Sequence, residues 1–97
     1  MKCDSLDQVR ENIDRLERQI VPLLAERAGY VEQAARFKDT KSAVVDPDRI
    51  EAIVLKVRHM AVEEGTDPDL IEHIYRAMIN AFIIHESQEW KKVHGEG

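Results

Sequence analysis

The chain has 97 residues, one small domain's worth. Its 43% apolar and 34% charged content fits neither a disordered tail nor a membrane protein, and a formal charge of −5 speaks against a nucleic-acid partner. Three Pro and four Gly are too few for an all-β sandwich, which needs a turn signal every few residues, so a helical protein is expected. The lone Cys3 permits neither an internal disulfide framework nor a zinc cluster of Cys ligands. Met1-Lys2-Cys3-Asp4-Ser5 lacks the apolar run of a secretory signal, and no apolar stretch approaches the ~18–20 residues that span a bilayer. A cytoplasmic protein without a membrane partner is expected.

The first predicted helix runs from about Ser5 to Lys38. Leu6, Val9, Ile13, Leu16, Ile20, Leu23, Tyr30, Ala34 and Phe37 follow the three-four spacing of a helix buried along a seam, with the cation Arg27 inside the pattern. Pro22 disfavours a helix interior by about 3 kcal/mol. The pattern keeps its phase across it, so one helix, with a kink at Pro22 plausible, is predicted. Asp39-Thr40-Lys41-Ser42-Ala43 reads as a mostly polar loop. Asp46-Pro47-Asp48 and Asp67-Pro68-Asp69 each place a capping carboxylate before a proline at the first helical position. Helix two is predicted from about Pro47 to Glu64, stopped by Gly65, with Ile50, Ile53, Val54, Val57 and Ala61 as its stripe. Helix three is predicted from about Pro68 to Val93, with Ile71, Ile74, Tyr75, Met78, Ile79, Phe82 and Trp90 as its stripe. The whole chain reads as one all-α domain with a core over about 6–93, and His94-Gly95-Glu96-Gly97 is expected to fray.

A first helix of that length extends to roughly 50 Å, whereas a compact domain of this size has a radius of gyration of about 12–13 Å. Its seam must be buried by something outside the chain's own core. A second copy related by a two-fold axis is the simplest solution, giving an intertwined homodimeric bundle.

Most charged residues, among them Asp14, Glu17, Arg18, Glu51, Glu63 and Glu64, read as solvated faces. Those that interrupt the apolar pattern are different. Arg27 takes a seam position, and Lys38, eleven residues on, falls about 20° from it on the same face. Each either pairs with an acid of a neighbouring helix, reaches solvent, or helps bind a carboxylate inside the bundle. Glu86 falls on the third stripe between Phe82 and Trp90, so it must be paired, for instance with Arg27, or protonated. Arg49 opens helix two and reads first as a surface residue. Arg10 lies seventeen residues before Arg27, about 25 Å along one helix, so the two can meet only across a dimer. His59, His73, His85 and His94 lack metal-ligand spacing and read as surface or packing residues. Nothing resembles a nucleophile triad, a Gly-rich phosphate loop or a CxxC motif.

Arg10-Glu11-Asn12-Ile13-Asp14, Leu23-Leu24-Ala25-Glu26-Arg27, Phe37-Lys38 and Asp46-Pro47-Asp48-Arg49, in that order, resemble the all-helical chorismate mutases. The resemblance covers roughly residues 6–90 and extends to the related isochorismate-pyruvate lyases. It implies an intertwined homodimer and a small dianionic substrate. It also implies that residues matching Arg27 and, from the other subunit, Arg10 bind the two substrate carboxylates. The match to Lys38 implies a bond to a carboxylate and to the ether oxygen of the breaking bond. Arg49 would support the carboxylate side, and Glu86 would donate a hydrogen bond to the same ether oxygen.

The implied reaction, a Claisen rearrangement of chorismate to prephenate, is pericyclic and needs neither cofactor nor metal. Catalysis would come from holding a reactive conformer and stabilising charge on the ether oxygen. Two departures from the family pattern pull apart. Ile50 stands where many bacterial mutases carry a glutamate and the lyases an apolar residue. Glu86 stands where both usually carry glutamine, and glutamate there marks some mutases that work best in acid. Mutase activity is the first expectation and isochorismate-pyruvate lyase activity the alternative. A non-catalytic helical dimer, which would pair Arg27, Lys38 and Glu86 with each other, is a third reading.

Overall fold

The structure, a computed structural model, describes residues 2–95. Three α-helices carry it, α1 (Leu6–Ala35), α2 (Pro47–Glu63) and α3 (Pro68–His94), with a single 3₁₀ turn at Lys41–Val44 and no strand among the described residues. The all-α expectation holds. The chain divides after Tyr30 into two compact parts, which are taken in turn.

In the first part, α1 opens with a reciprocal cap. The Ser5 hydroxyl accepts from the Gln8 amide at 3.2 Å, while the Gln8 side chain reaches back to the Asp4 amide at 2.7 Å. This is a close variant of the capping box, in which two otherwise orphaned N–H groups are satisfied together. The helix runs unbroken through Pro22, as the conserved phase of its apolar pattern requires. No residue from 2 to 30 is buried. Leu6, Val9, Ile13, Leu16, Ile20, Leu23 and Tyr30 are 39–65% exposed, so the predicted seam is exposed throughout this part.

The second part begins with the last turn of α1. The expected helix to Lys38 is corrected here: α1 ends at Ala35. The amides of Arg36, Phe37 and Lys38 each bond to the carbonyl three residues back, at 3.1, 3.0 and 3.4 Å. This tightening to 3₁₀ geometry takes the chain off the α-helical path. Phe37, assigned to the seam by its spacing, is 84% exposed as a result. The segment expected to be a polar loop contains the 3₁₀ turn, whose Val44 is buried.

Both Asp-Pro-Asp motifs cap as expected. Asp46 accepts from the Arg49 amide at 3.1 Å, and Asp67 from the Asp69 amide at 2.9 Å. Gly65 ends α2 at φ +74°. The Thr66 amide bonds to the Ala61 carbonyl at 2.9 Å and the Gly65 amide to that of Val62 at 3.1 Å. This paired arrangement needs a left-handed residue, which glycine adopts without a Cβ clash. The reversal lays α2 and α3 against each other. Val54, Val57 and Ala61 of α2 and Ile79 of α3 are buried, whereas Ile74, expected on the stripe, is largely exposed.

Charges lace the outside of this hairpin. Arg76 of α3 makes two 3.0 Å bonds to Glu51 of α2 and one of 2.8 Å to Glu72. Arg58 of α2 bonds Glu72 at 2.7 Å and Asp69 at 3.0 Å. Glu51, read from sequence as an ordinary solvated residue, thus has a partner on the opposite helix. The Arg76 hydrogen bond holds the Glu51 carboxyl below the usual carboxylate range, and Arg76 together with Arg58 does the same for Glu72. α3 continues through His94 and ends at Gly95 in left-handed geometry. Glu96 and Gly97 of the expected frayed tail lie outside the described residues.

Candidate active site

Lys38 lies in the second part, where it is held by α3. It follows the turn that ends α1, so its ammonium is not placed by the helical phase that the sequence pattern assigned to it. Two residues of α3 place it instead. Glu86 Oε2 accepts from Lys38 Nζ at 2.9 Å, and Trp90 Nε1 donates to the Lys38 carbonyl at 2.9 Å. Glu86 and Trp90 are one helical turn apart and share a face of α3.

The environment around that face is apolar. Trp90 forms a buried cluster with Ala35 and Val44, and Ile83 packs against it. Its ring stacks on His94, with centroids 4.3 Å apart and planes within 17°. Glu86 is the one buried charged residue among the described residues. Its side chain is 10% exposed and that of Lys38 29%, so the glutamate is covered while the lysine is partly open to solvent. A carboxylate so placed needs a partner, and the charge-assisted bond to Lys38 supplies it. The expectation that Glu86 is buried and paired holds, with Lys38 as a partner. Direct pairing of the two is also what the non-catalytic reading required of them.

The other expected site residues are more dispersed. Arg49 stands in the first turn of α2 with an exposed side chain, its backbone amide engaged by the Asp46 cap. Ile50 beside it is half-buried. Arg10 is exposed on α1, and Arg27, on the same helix, is half-buried. A polar depression lined by Glu11, Asn12, Asp14, Arg15 and Arg18 runs beside Arg10 and includes none of the expected site residues.

Two relationships escaped the sequence reading. Trp90 appeared there only as an apolar stripe residue. Its indole N–H was the available signal, because a buried tryptophan needs an acceptor. His85, read as a surface or packing residue, lies 2.7 Å from a carboxylate oxygen of Glu32. Among the described residues no group of His, Cys, Asp and Glu could hold a metal ion, and no helix is long and apolar enough to cross a membrane.

Comparison with known proteins bears directly on this arrangement. Residues 9–87 match the family model described as chorismate mutase type II. The chain belongs to the chorismate mutase type II family. The matched span takes in Arg10, Arg27, Lys38, Arg49 and Glu86, and stops short of Trp90. The chain is also similar to the isochorismate pyruvate lyase of Pseudomonas aeruginosa, with 32% identity over 93 residues that cover 96% of this chain and 92% of that protein. It is 28% identical over 86 residues to the T-protein of Haemophilus influenzae, covering 88% of this chain and 23% of that longer protein. Chorismate mutase type II membership agrees with the resemblance carried by the spacing of the seam cations.

Proposed function

We propose that this member of the chorismate mutase type II family is a cofactor-independent enzyme that rearranges chorismate to prephenate. The observation that carries the reading is the match of residues 9–87 to the chorismate mutase type II family, a span that takes in Arg10, Arg27, Lys38, Arg49 and Glu86; within it Lys38 and Glu86 lie 2.9 Å apart, a partly exposed cation against a covered carboxyl group. Chorismate is a dianion whose ether bond breaks as a carbon–carbon bond forms, with negative charge growing on the ether oxygen. Lys38 stabilises that charge more strongly in the transition state than in the bound substrate, which is the condition for accelerating the step. Glu86 in its neutral form donates a second hydrogen bond to the same oxygen; ionised, it can only accept. Substrate binding therefore exchanges the Lys38–Glu86 contact for one in which Lys38 faces the substrate.

Arg27 and Arg10 bind the two carboxylates, with Arg10 supplied by a second copy of the chain, and Arg49 supports the carboxylate side. The outward seam of α1, exposed along its length, supports the homodimer this requires.

A second reading, isochorismate-pyruvate lyase activity, is favoured by Ile50 and by the 32% identity to the Pseudomonas aeruginosa lyase over nearly its full length. Both reactions break an ether bond beside two carboxylates, so the same cations serve either. Separate incubation with chorismate and isochorismate, following prephenate in the first and salicylate in the second, tests both. Prephenate from chorismate is expected; salicylate from isochorismate with no prephenate would replace the first reading by the second, and neither product would leave the non-catalytic dimer.

A further inference from the structure

We propose that Trp90 is a positioning residue: its indole N–H fixes the main chain of Lys38 and thereby the place of the Lys38 ammonium. The inference rests on the reading of Lys38 as the cation that meets the ether oxygen.

Lys38 needs such a hold because of where it lies. Its own amide reaches the Ala35 carbonyl only at 3.4 Å, and the two residues after it form a bend before the 3₁₀ turn. Regular helical bonding therefore does not fix this backbone. A lysine side chain has four rotatable bonds, so restraining the ammonium alone would leave a wide set of backbone placements available. The structure restrains both ends from one helix, with Glu86 at the ammonium and Trp90 at the carbonyl. Trp90 is suited to the task. It is 8% exposed, stacked on His94 and packed with Ala35 and Val44, which flank Lys38 in sequence on either side. The donor is thus a rigid group set in the cluster that anchors both ends of the Lys38 segment. Catalysis is sensitive to placement on this scale, since a displacement of about 1 Å can cost 10²-fold in rate.

The alternative is that Trp90 contributes bulk alone. Trp90→Phe removes the donor and some volume. Trp90→benzothienylalanine, with sulfur in place of the indole N–H, removes the donor at nearly constant shape, and it carries the test if the phenylalanine variant does not fold. The first readout is the Lys38 side-chain ¹⁵Nζ resonance of the ligand-free, uniformly labelled full chain. It should be resolved and protected from exchange in the wild type and should merge with the solvent-exposed lysines in either variant. The second is turnover of whichever substrate the wild type accepts. In both variants kcat should fall about ten- to a hundredfold, with KM changed less than about threefold and the melting transition still cooperative. In a Lys38→Ala background the Trp90 substitutions should lower kcat no further.

An unchanged Nζ signal and unchanged kcat in the benzothienyl variant would overturn the positioning role, as would an equal loss in the Lys38→Ala background. Full activity in Lys38→Ala alone, or a wild type that turns over neither substrate, would instead overturn the reading of Lys38. The Nζ signal would still decide whether Trp90 holds it.

Discussion

Glu86 and Lys38 are forty-eight residues apart in the chain, and their side chains meet at 2.9 Å. In that pairing the carboxylate is an acceptor, whereas the proposed reaction asks residue 86 to donate to the ether oxygen. Glu86→Gln supplies a permanent donor of similar shape and should keep kcat, whereas Glu86→Ala removes the donor and should lower kcat by about a hundredfold. Steady-state kinetics of the three proteins with chorismate checks this. An unchanged kcat in the alanine variant would remove Glu86 from the mechanism.

Arg10 and Arg27 provide a test of site sharing. They lie seventeen residues apart on one continuous helix, about 25 Å at the ordinary helical rise. Arg10→Ala and Arg27→Ala should each be inactive alone, with losses of at least about a hundredfold for a charge-assisted carboxylate contact. A mixed dimer holds one site with both arginines and one with neither, so co-refolding the two inactive proteins should restore activity. Mixed dimers that form and remain inactive would show that Arg10 does not act across subunits.

The exposed seam of α1 predicts self-association. Light scattering at micromolar concentration should give twice the 11.2 kDa chain mass. Leu16→Glu removes burial worth about 1.5–3 kcal/mol per copy and places a carboxylate in the seam. It should shift the equilibrium towards monomer with loss of helical circular dichroism. A stable, folded wild-type monomer would exclude the dimer.

The charge lacing of the α2–α3 hairpin has its own pH signature. The Glu51 and Glu72 carboxyls are both held below their ordinary value of 4.5. A group so lowered contributes its stabilisation in full above that value and loses it as pH falls through the lower folded-state value. Thermal stability should therefore decline between about pH 5 and pH 3. Glu72→Gln, which touches both Arg58 and Arg76, should flatten that decline more than Glu51→Gln. Equal slopes in all three proteins would mean that solvent screening leaves the network without effect on stability.

Legibility in the sequence followed the range of the interactions. Helix starts at Pro47 and Pro68 were readable because a capping aspartate, a proline and an acid lie within three residues. Gly65 marked the end of α2 for the same local reason. The end of α1 was not readable: nothing between Ala35 and Lys38 breaks helix, and the 3₁₀ closure depends on where the following segment packs through Val44. The identities of Lys38 and Glu86 as charges out of place were visible from periodicity. That they meet was not, because pairing over forty-eight residues is decided by tertiary packing. Trp90 was legible as apolar and illegible as a donor, since a stripe records burial and is blind to the one polar atom of an indole.

Because Glu86 and Trp90 both reach back to residue 38 from adjacent turns of α3, the hairpin is intolerant of changes in length at one place in particular. Each residue inserted or deleted between Asp67 and Glu86 rotates everything after it by about 100°. Both holds would swing off Lys38 together, even though no side chain had been altered. A residue added at Thr40 or Lys41, in the exposed stretch before Val44, carries no such rotation. Length variation among natural relatives should therefore collect in that stretch and be absent from the first five turns of α3, a constraint on spacing independent of amino-acid identity.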